Sequence, residues 1–117
     1  MMKNTRKNLN KAFKQLRKKG YKTIRNIAGG CNCEIREYTL KKLNGNKDAF
    51  YVGYLSMYRE AMNQEEFGLV VLQWQGDKEE ILKILNENGI HAYMWEKANL
   101  IVLGNPGTEE IVSKWIN

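Results

Sequence analysis

Apolar residues recur at intervals of three and four positions near the start of the chain. The repeat consists of Leu9, Ala12, Phe13 and Leu16. This spacing places the four residues on one side of an α-helix. Gly20 follows the repeat, and glycine commonly ends helices because it adopts left-handed backbone conformations. The pattern predicts an amphipathic helix within residues 1–20 that buries only a narrow stripe.

Five later segments have the apolar runs or the alternation that are typical of strands. They are residues 21–27, 49–55, 69–74, 90–95 and 99–103. Turn-forming residues separate several of them, including Gly45-Asn46 and Asn88-Gly89. The last two segments are joined by the tight connection 96–98. The sequence therefore predicts a sheet of about four to five strands.

Capping residues predict two further helices. Asp77 and Glu80 have the spacing of a capping box, and the apolar residues Ile81, Leu82, Ile84 and Leu85 follow them. Thr108 is expected to cap a last helix with apolar positions at Val112, Trp115 and Ile116. Residues 34–43 fit a helix or a strand, and residues 56–64 fit a short helix.

The order of these elements predicts a single α+β domain. The chain has 117 residues, of which 43% are apolar, so it can bury the core of one ordinary domain. We expect residues 1–117 to form that domain, with a basic helix over 1–20 and an α+β body over 21–117. The body is expected to be a mostly antiparallel sheet, with the basic N-terminal helix and two further helices packed on it.

Charge is divided unevenly along the chain. Residues 1–47 carry 14 Lys and Arg against two Glu, and residues 48–117 carry five Lys and Arg against eleven Asp and Glu. The net charge of +6 is therefore a +12 segment joined to a −6 segment. Such a field steers oppositely charged partners. The expected partner-binding residues are Lys7, Lys11, Lys14, Arg17 and Lys18 on the helix, with Glu65 and Glu66 in the acidic segment.

Two classes of partner remain open from this charge pattern. The cations of the helix can neutralise phosphates of a nucleic acid, although no recognition-helix or other nucleic-acid motif is present. The acidic segment can dock on a basic surface of a protein complex that handles nucleic acid. A solvated helix face and a soluble acidic surface are the simpler interpretations.

The cysteine pair is the feature with clear ligand chemistry. Cys31 and Cys33 follow Gly29-Gly30, and two thiolates at this spacing can turn toward one zinc ion. The sole histidine, His91, is the expected third ligand and Glu34 or a water the fourth. Alternatively, two chains each contribute both cysteines at a dimer interface. In the simpler interpretation, Cys31 and Cys33 are one buried and one exposed thiol in a turn, and His91 is a strand histidine with its hydrogen bonds satisfied.

Several other classes of function are disfavoured by the sequence. We expect no secretory signal and no membrane span, because the apolar runs are short. Two cysteines without export features fit a reducing cytosol. A Cys/His hydrolase remains an unfavoured alternative, since nothing locates an orienting residue or an oxyanion hole. A phosphate-binding G-x-x-x-x-G-K-[ST] loop is absent from the sequence, which disfavours nucleotide-dependent catalysis.

Residues 13–103 resemble an uncharacterised bacterial domain family in the order of their motifs. A helix ending in glycine leads to a cysteine pair with a nearby Glu, then to an aromatic strand, an apolar strand, a helix and a closing segment. Here these are Phe13 to Gly20, Cys31 to Glu34, Phe50 to Leu55, Leu69 to Trp74, Ile81 to Leu85, and Gly89 to Trp95. The closing segment has one extra residue before its Trp, and the family's cysteines are more widely spaced.

In size and composition the chain is also similar to small phage anti-CRISPR proteins, which inhibit RNA-guided nucleases and of which some bind zinc. This resemblance implies occlusion of a charged channel on the nuclease. We therefore expect a non-enzymatic, zinc-binding protein that inhibits or modulates a nucleic-acid machine, such as a CRISPR effector nuclease, by protein contact. The alternatives are a nucleic-acid-binding regulator and a cysteine-dependent enzyme. The expected setting is the cytoplasm of a bacterial host, with a homodimer as one possible state.

Overall fold

The computed structural model describes residues 4–105 and residue 108. None of the helices in these residues has the length and apolar character that a membrane crossing requires. In chain order the elements are β1 (Asn4–Thr5), α1 (Arg6–Lys18), β2 (Lys22–Ile27), α2 (Asn32–Lys42), β3 (Tyr51–Leu55), a 3-10 turn (Ser56–Tyr58), α3 (Arg59–Met62), β4 (Glu66–Phe67), β5 (Leu69–Gln75), α4 (Lys78–Glu87), β6 (Ala92–Trp95) and β7 (Leu100–Gly104).

The main sheet has five strands in the order β2-β3-β5-β7-β6. Three of its four pairings are antiparallel, and β2 with β3 is parallel. The predicted α+β domain with a mostly antiparallel sheet is confirmed. Because of this order, β2 and β6 lie at opposite edges of the sheet.

α1 packs its apolar stripe onto one face of the sheet. The four predicted stripe residues are fully buried, namely Leu9, Ala12, Phe13 and Leu16. The ring of Phe13 stacks on that of Tyr54 in β3, with the ring centroids 6.5 Å apart. Burying a side chain of this size contributes roughly 1.5–3 kcal/mol to stability. The stripe therefore accounts for much of what holds α1 in place.

α4 shares the core of the same sheet face and begins at the predicted cap. The carboxylate of Asp77 accepts hydrogen bonds from the N–H groups of Glu79 and Glu80, at 3.0 and 3.3 Å. These are two of the N–H groups that the start of a helix leaves without a backbone partner. The Tyr21 hydroxyl accepts the N–H of Asp77 at 3.0 Å. Tyr21 lies between α1 and β2, so this hydrogen bond joins the segment that follows α1 to the start of α4.

The segment that fits either a helix or a strand forms α2. It packs over β2, where Ile24 and Ile27 belong to a second buried cluster. Of its apolar residues, Ile35 and Tyr38 join this cluster only partly buried, and Leu40 is 37% exposed. The apolar residues of α2 do not share one stripe, so periodicity left the segment undecided.

The two faces of the sheet can be followed along β3. Val52 and Tyr54 belong to the core beneath α1, whereas Tyr51 and Leu55 pack with the cluster beneath α2. This alternation is the normal consequence of successive side chains pointing to opposite faces. α1 and α2 therefore lie on opposite faces of the same edge of the sheet.

Two short strands near the start of α1 were not predicted. Asn4 pairs with Phe67 and Thr5 with Glu66 in a separate two-stranded ladder. The Thr5 hydroxyl accepts the N–H of Asn8 at 3.1 Å and so caps α1. Two-residue strands are too short to show an alternating pattern. The predicted last helix, with Val112, Trp115 and Ile116, lies outside the described residues except for Thr108.

We expect Gly53→Ala to destabilise the fold. A Cβ atom at position 53 would lie 2.7 Å from the carbonyl oxygen of Ile24 and 2.9 Å from Cδ1 of Ile27, so β2 would have to move. Crowding of this kind lowers the free energy of unfolding by about 1–3 kcal/mol. Urea unfolding followed by circular dichroism measures the change.

Gly68→Ala is the matched control, because a Cβ atom there meets no atom within 4 Å. Its free energy of unfolding is expected to stay within about 0.5 kcal/mol of the parent value. Equal stability of the two variants would contradict the tight approach of β2 to β3.

Candidate functional site

Four lysines form a stripe along the exposed side of α1. They are Lys7, Lys11, Lys14 and Lys18, and all are exposed. Their spacing of four, three and four positions confines them to an arc of about 60° on the helix. The stripe runs about 16 Å along the helix axis. We call this set the lysine stripe.

The lysine stripe has no carboxylate partner in the part of the chain that the structure describes. The ion pairs formed by described residues join Lys78 to Glu96 and Lys83 to Glu87, and neither involves α1. Like charges four positions apart on a helix destabilise it by about 0.2–0.5 kcal/mol per pair. Lys7 also lies in a first turn that contains no acid, where the helix dipole favours acids. The lysine stripe therefore contributes no ion pair to the described fold.

The arginines near α1 differ from the lysines, because each has a partner within the chain. Arg17 donates to the Thr23 hydroxyl at 2.9 Å, and Arg6 donates to the carbonyl oxygen of Asn63 at 3.3 Å. Arg17 was predicted to bind a partner molecule, and the structure places it at the edge of the sheet, bonded to β2. The lysines are thus the cations of α1 that are available to another molecule.

Arg25 in β2 ties α1 to the sheet, and the sequence did not single it out. Its guanidinium group donates to Asn10 at 2.7 Å and to the Tyr54 hydroxyl at 3.3 Å. It also lies 5.0 Å from the centre of the Phe13 ring, within range of a cation–π interaction. Arg25 therefore belongs to the packing of α1, and its position depends on contacts that are distant in sequence.

The predicted acidic residues lie beside the first turn of α1. Glu65 and Glu66 are exposed. The carbonyl oxygen of Glu65 accepts the N–H of Arg6 at 2.9 Å, and Glu66 pairs with Thr5 in the short ladder. The structure thus brings the acidic segment to one end of the basic helix. The uneven division of charge along the sequence therefore places negative side chains next to the positively charged side of α1.

The cysteine pair opens α2. Cys31 is the N-cap residue and Cys33 lies in the first turn, and both are exposed free thiols. The Cys31 thiol donates to Oε1 of Glu34 at 3.3 Å. The structure therefore places Glu34 beside Cys31, two of the residues predicted as metal ligands.

His91 lies at the opposite edge of the sheet from the cysteines. It immediately precedes β6, whereas α2 packs over β2, so about four strand spacings, or about 19 Å, separate the two places. Nδ1 of His91 is 2.5 Å from the carbonyl oxygen of Gly104. Its backbone exchanges two hydrogen bonds with the Asn4 side chain, at 2.7 and 3.2 Å. The structure does not bring His91 to the cysteines of the same chain.

The donors of one described chain do not fit a structural zinc site. Zinc in such a site takes four ligands. Over residues 4–105 and 108, no three His, Cys, Asp or Glu side chains converge as a metal site would require. Of the sequence-based alternatives, the one that fits these exposed thiols is a site shared by two chains, each contributing Cys31 and Cys33.

A groove lies between α2 and the sheet, and the sequence pattern did not indicate it. Its volume is about 460 Å³. The described residues that line it include the cations Arg36 and Lys47 and the amide Gln73, and none of them is a carboxylate. Burial raises the pKa of the Tyr51 phenol, another lining residue, above its ordinary value of 10.0. We call this the α2 groove.

The comparisons with known proteins add no homologue to these observations. Scans against protein-family models, curated proteins and solved structures each found no match. The resemblance to an uncharacterised bacterial family and to anti-CRISPR proteins stays a prediction. The lysine stripe, the cysteine pair and the α2 groove are therefore the features that bear on function.

We expect added zinc to produce a dimer that holds one ion for two chains. One described chain offers too few converging donors, whereas two chains supply four thiolates. Native mass spectrometry at stepwise zinc concentrations measures both the mass and the metal content. Replacing both Cys31 and Cys33 by serine is expected to remove the metal and the dimer together.

His91→Gln serves as the control for zinc binding, because its ring lies at the far edge of the sheet. This variant is expected to bind zinc and to dimerise as the parent chain does. A monomer with one bound zinc ion, or loss of zinc in the His91 variant, would contradict the shared site.

Proposed function

We propose that this chain is a non-enzymatic binding protein that engages nucleic acid through the lysine stripe and thereby modulates a nucleic-acid machine. The observation that supports this proposal is a row of four exposed cations without carboxylate partners in the described chain. A row of like charges persists at a cost in helix stability. Binding of a polyanion offsets that cost, because each phosphate contact releases counterions.

The dimensions of the lysine stripe suit a phosphate backbone. A length of about 16 Å corresponds to about five base-pair steps along a DNA duplex. Lysine presents a compact charge on a flexible stem, which suits phosphate contact without fixed bidentate geometry. Phosphate contacts position a protein but do not read bases. The proposed binding is therefore largely independent of sequence and strongly dependent on salt.

A protein surface with mixed charge is the second candidate partner. Glu65 and Glu66 lie exposed beside the first turn of α1, so a nucleic acid extended past that end would meet two acids. A protein that carries a basic patch next to an acidic one matches this change of sign. On a CRISPR effector nuclease or a similar complex, such docking would occlude a charged channel, as the sequence-based hypothesis expects.

The placement of the thiols supports a role other than cysteine-dependent catalysis. A cysteine nucleophile needs a base within hydrogen-bond reach, most often a histidine. His91 lies about four strand spacings from α2, or about 19 Å. The described side chain bonded to the Cys31 thiol is that of Glu34. The described structure therefore provides no histidine base for a cysteine nucleophile.

Replacing Lys11 and Lys14 together by glutamine is expected to weaken nucleic-acid binding. Loss of two phosphate contacts lowers the affinity about tenfold at low salt and reduces the slope of log affinity against log salt by about two. Fluorescence anisotropy with labelled single-stranded and duplex DNA, over a series of salt concentrations, measures both quantities. Thermal unfolding should be unchanged or slightly improved, because the like-charge pairs Lys7–Lys11, Lys11–Lys14 and Lys14–Lys18 are all removed.

The matched control replaces Lys83 and Lys97 by glutamine, which changes the net charge equally at exposed sites outside α1. We expect this variant to retain most of the affinity of the parent chain. If both variants lost the same affinity for DNA, net charge alone would explain the loss. That result would contradict a binding role for the lysine stripe. Absence of salt-dependent binding by the parent chain would sink the proposal, and the second candidate would remain.

A further inference from the structure

The α2 groove has the size and mixed character of a small-molecule site. Its volume of about 460 Å³ lies in the range of roughly 300–1,000 Å³ that is typical of ligand pockets. Ile35 and Leu43 of the α2 segment supply an apolar wall, and the ring of Tyr51 adds an aromatic surface from β3. The groove is therefore able to hold a flat, partly apolar group.

Polar side chains around this wall have no partners among the described residues. Arg36, Lys47 and Gln73 make no side-chain hydrogen bond or ion pair in the described chain, and neither does the Tyr51 hydroxyl. Gln73 and Tyr51 are partly buried, and neither has a fully buried polar atom without a partner, so their polar atoms remain open to solvent. The groove thus offers several unused hydrogen-bonding groups at one place.

The charge of the groove favours an anion. Arg36 and Lys47 line it, whereas the acids of α2, Glu34 and Glu37, line a different and smaller cavity with Lys41. Asp48 follows Lys47 in the chain and does not line the groove. The two cations therefore act on the contents of the groove without an opposing carboxylate in its described lining.

Part of the groove is held in place before any ligand binds. The side-chain amide of Gln75 in β5 donates to the carbonyl oxygens of Lys47 and Ala49, at 2.9 and 2.7 Å. These bonds fix the loop before β3 against the sheet and so hold the backbone of Lys47 at the rim. A site fixed in advance loses less conformational entropy when a ligand binds.

We propose that the α2 groove binds a phosphorylated nucleoside, with its phosphate at Arg36 and Lys47 and its base against the apolar wall and the Tyr51 ring. The amides of Gln73 and Asn32, which also line the groove, would face the edge of the base. Amide side chains pair well with N6 and N7 of adenine, so an adenine nucleotide suits the groove best. Inorganic phosphate alone would leave the apolar wall uncovered.

The nucleotide can be free or can be the terminal nucleotide of a strand, because both present the same chemistry. The groove lies on the face of the sheet opposite to α1. This inference therefore goes beyond the proposed function of the lysine stripe and does not depend on it.

The test is a nuclear magnetic resonance titration of the full, ¹⁵N-labelled chain with adenosine 5′-monophosphate. We expect saturable shifts in α2 and β5 with a dissociation constant of about 1 mM or lower. Adenosine and inorganic phosphate, titrated separately, should each bind at least about tenfold more weakly, because each lacks one half of the contacts. A 5′-phosphorylated tetramer of deoxyadenylate identifies the source. It is titrated into the variant with glutamine at both Lys11 and Lys14, and only shifts in α2 and β5 are counted, because the lysine stripe is itself proposed to bind strands. Equal or tighter binding of the tetramer indicates a strand end, and binding of the monophosphate alone indicates a free nucleotide.

Arg36→Gln is expected to weaken binding of the monophosphate about tenfold, since a charge-assisted contact to phosphate is lost. Arg36 is exposed, so this variant should fold. Lys41→Gln, on the same helix but outside the groove lining, should bind as the parent chain does.

The variant with glutamine at both Lys11 and Lys14 should also bind the monophosphate normally, which separates this site from the lysine stripe. No saturable shifts, equal affinity for inorganic phosphate, or equal losses in the Arg36 and Lys41 variants would overturn the proposal.

Discussion

The contact of Phe13 with Tyr54 and Arg25 determines which side of α1 faces the core and which side faces solvent. Phe13 is fully buried, stacks on Tyr54 and lies under the Arg25 guanidinium, which also bonds to Asn10. These contacts join one helix to two strands and fix its rotation about its own axis. Because the lysine stripe lies away from the buried stripe, the same packing that closes the core holds four cations toward solvent.

This packing determines where the positive and negative side chains of the two halves of the sequence lie on the surface. Arginines near the sheet edge bond within the chain, whereas the stripe lysines make no described ion pair. Glu65 and Glu66 stand at the start of the helix, where an acid is favourable to the dipole. The surface thus changes sign at one end of α1, which limits how far a phosphate backbone can follow it.

Local patterns in the sequence predicted the helices that have a regular apolar spacing or a capping residue. The other features depend on contacts between residues that are distant in sequence. The stripe of α1 and the Asp77 cap were visible because their residues are neighbours along the chain. α2 was left open because its apolar residues do not share one face. The separation of His91 from the cysteines follows from a strand order that no local pattern contains. The α2 groove likewise joins Arg36 to Gln73, which are distant in sequence.

The central claim is that the two sides of α1 have separate tasks, one in the core and one in binding a polyanion. Mapping of backbone amide shifts in the full chain on addition of a single-stranded DNA of about ten nucleotides at low salt tests it most directly. We expect the largest shifts at Lys7, Lys11, Lys14 and Lys18, and their disappearance at high salt. Shifts confined to residues 60–66 and 77–97, or none at all, would contradict it.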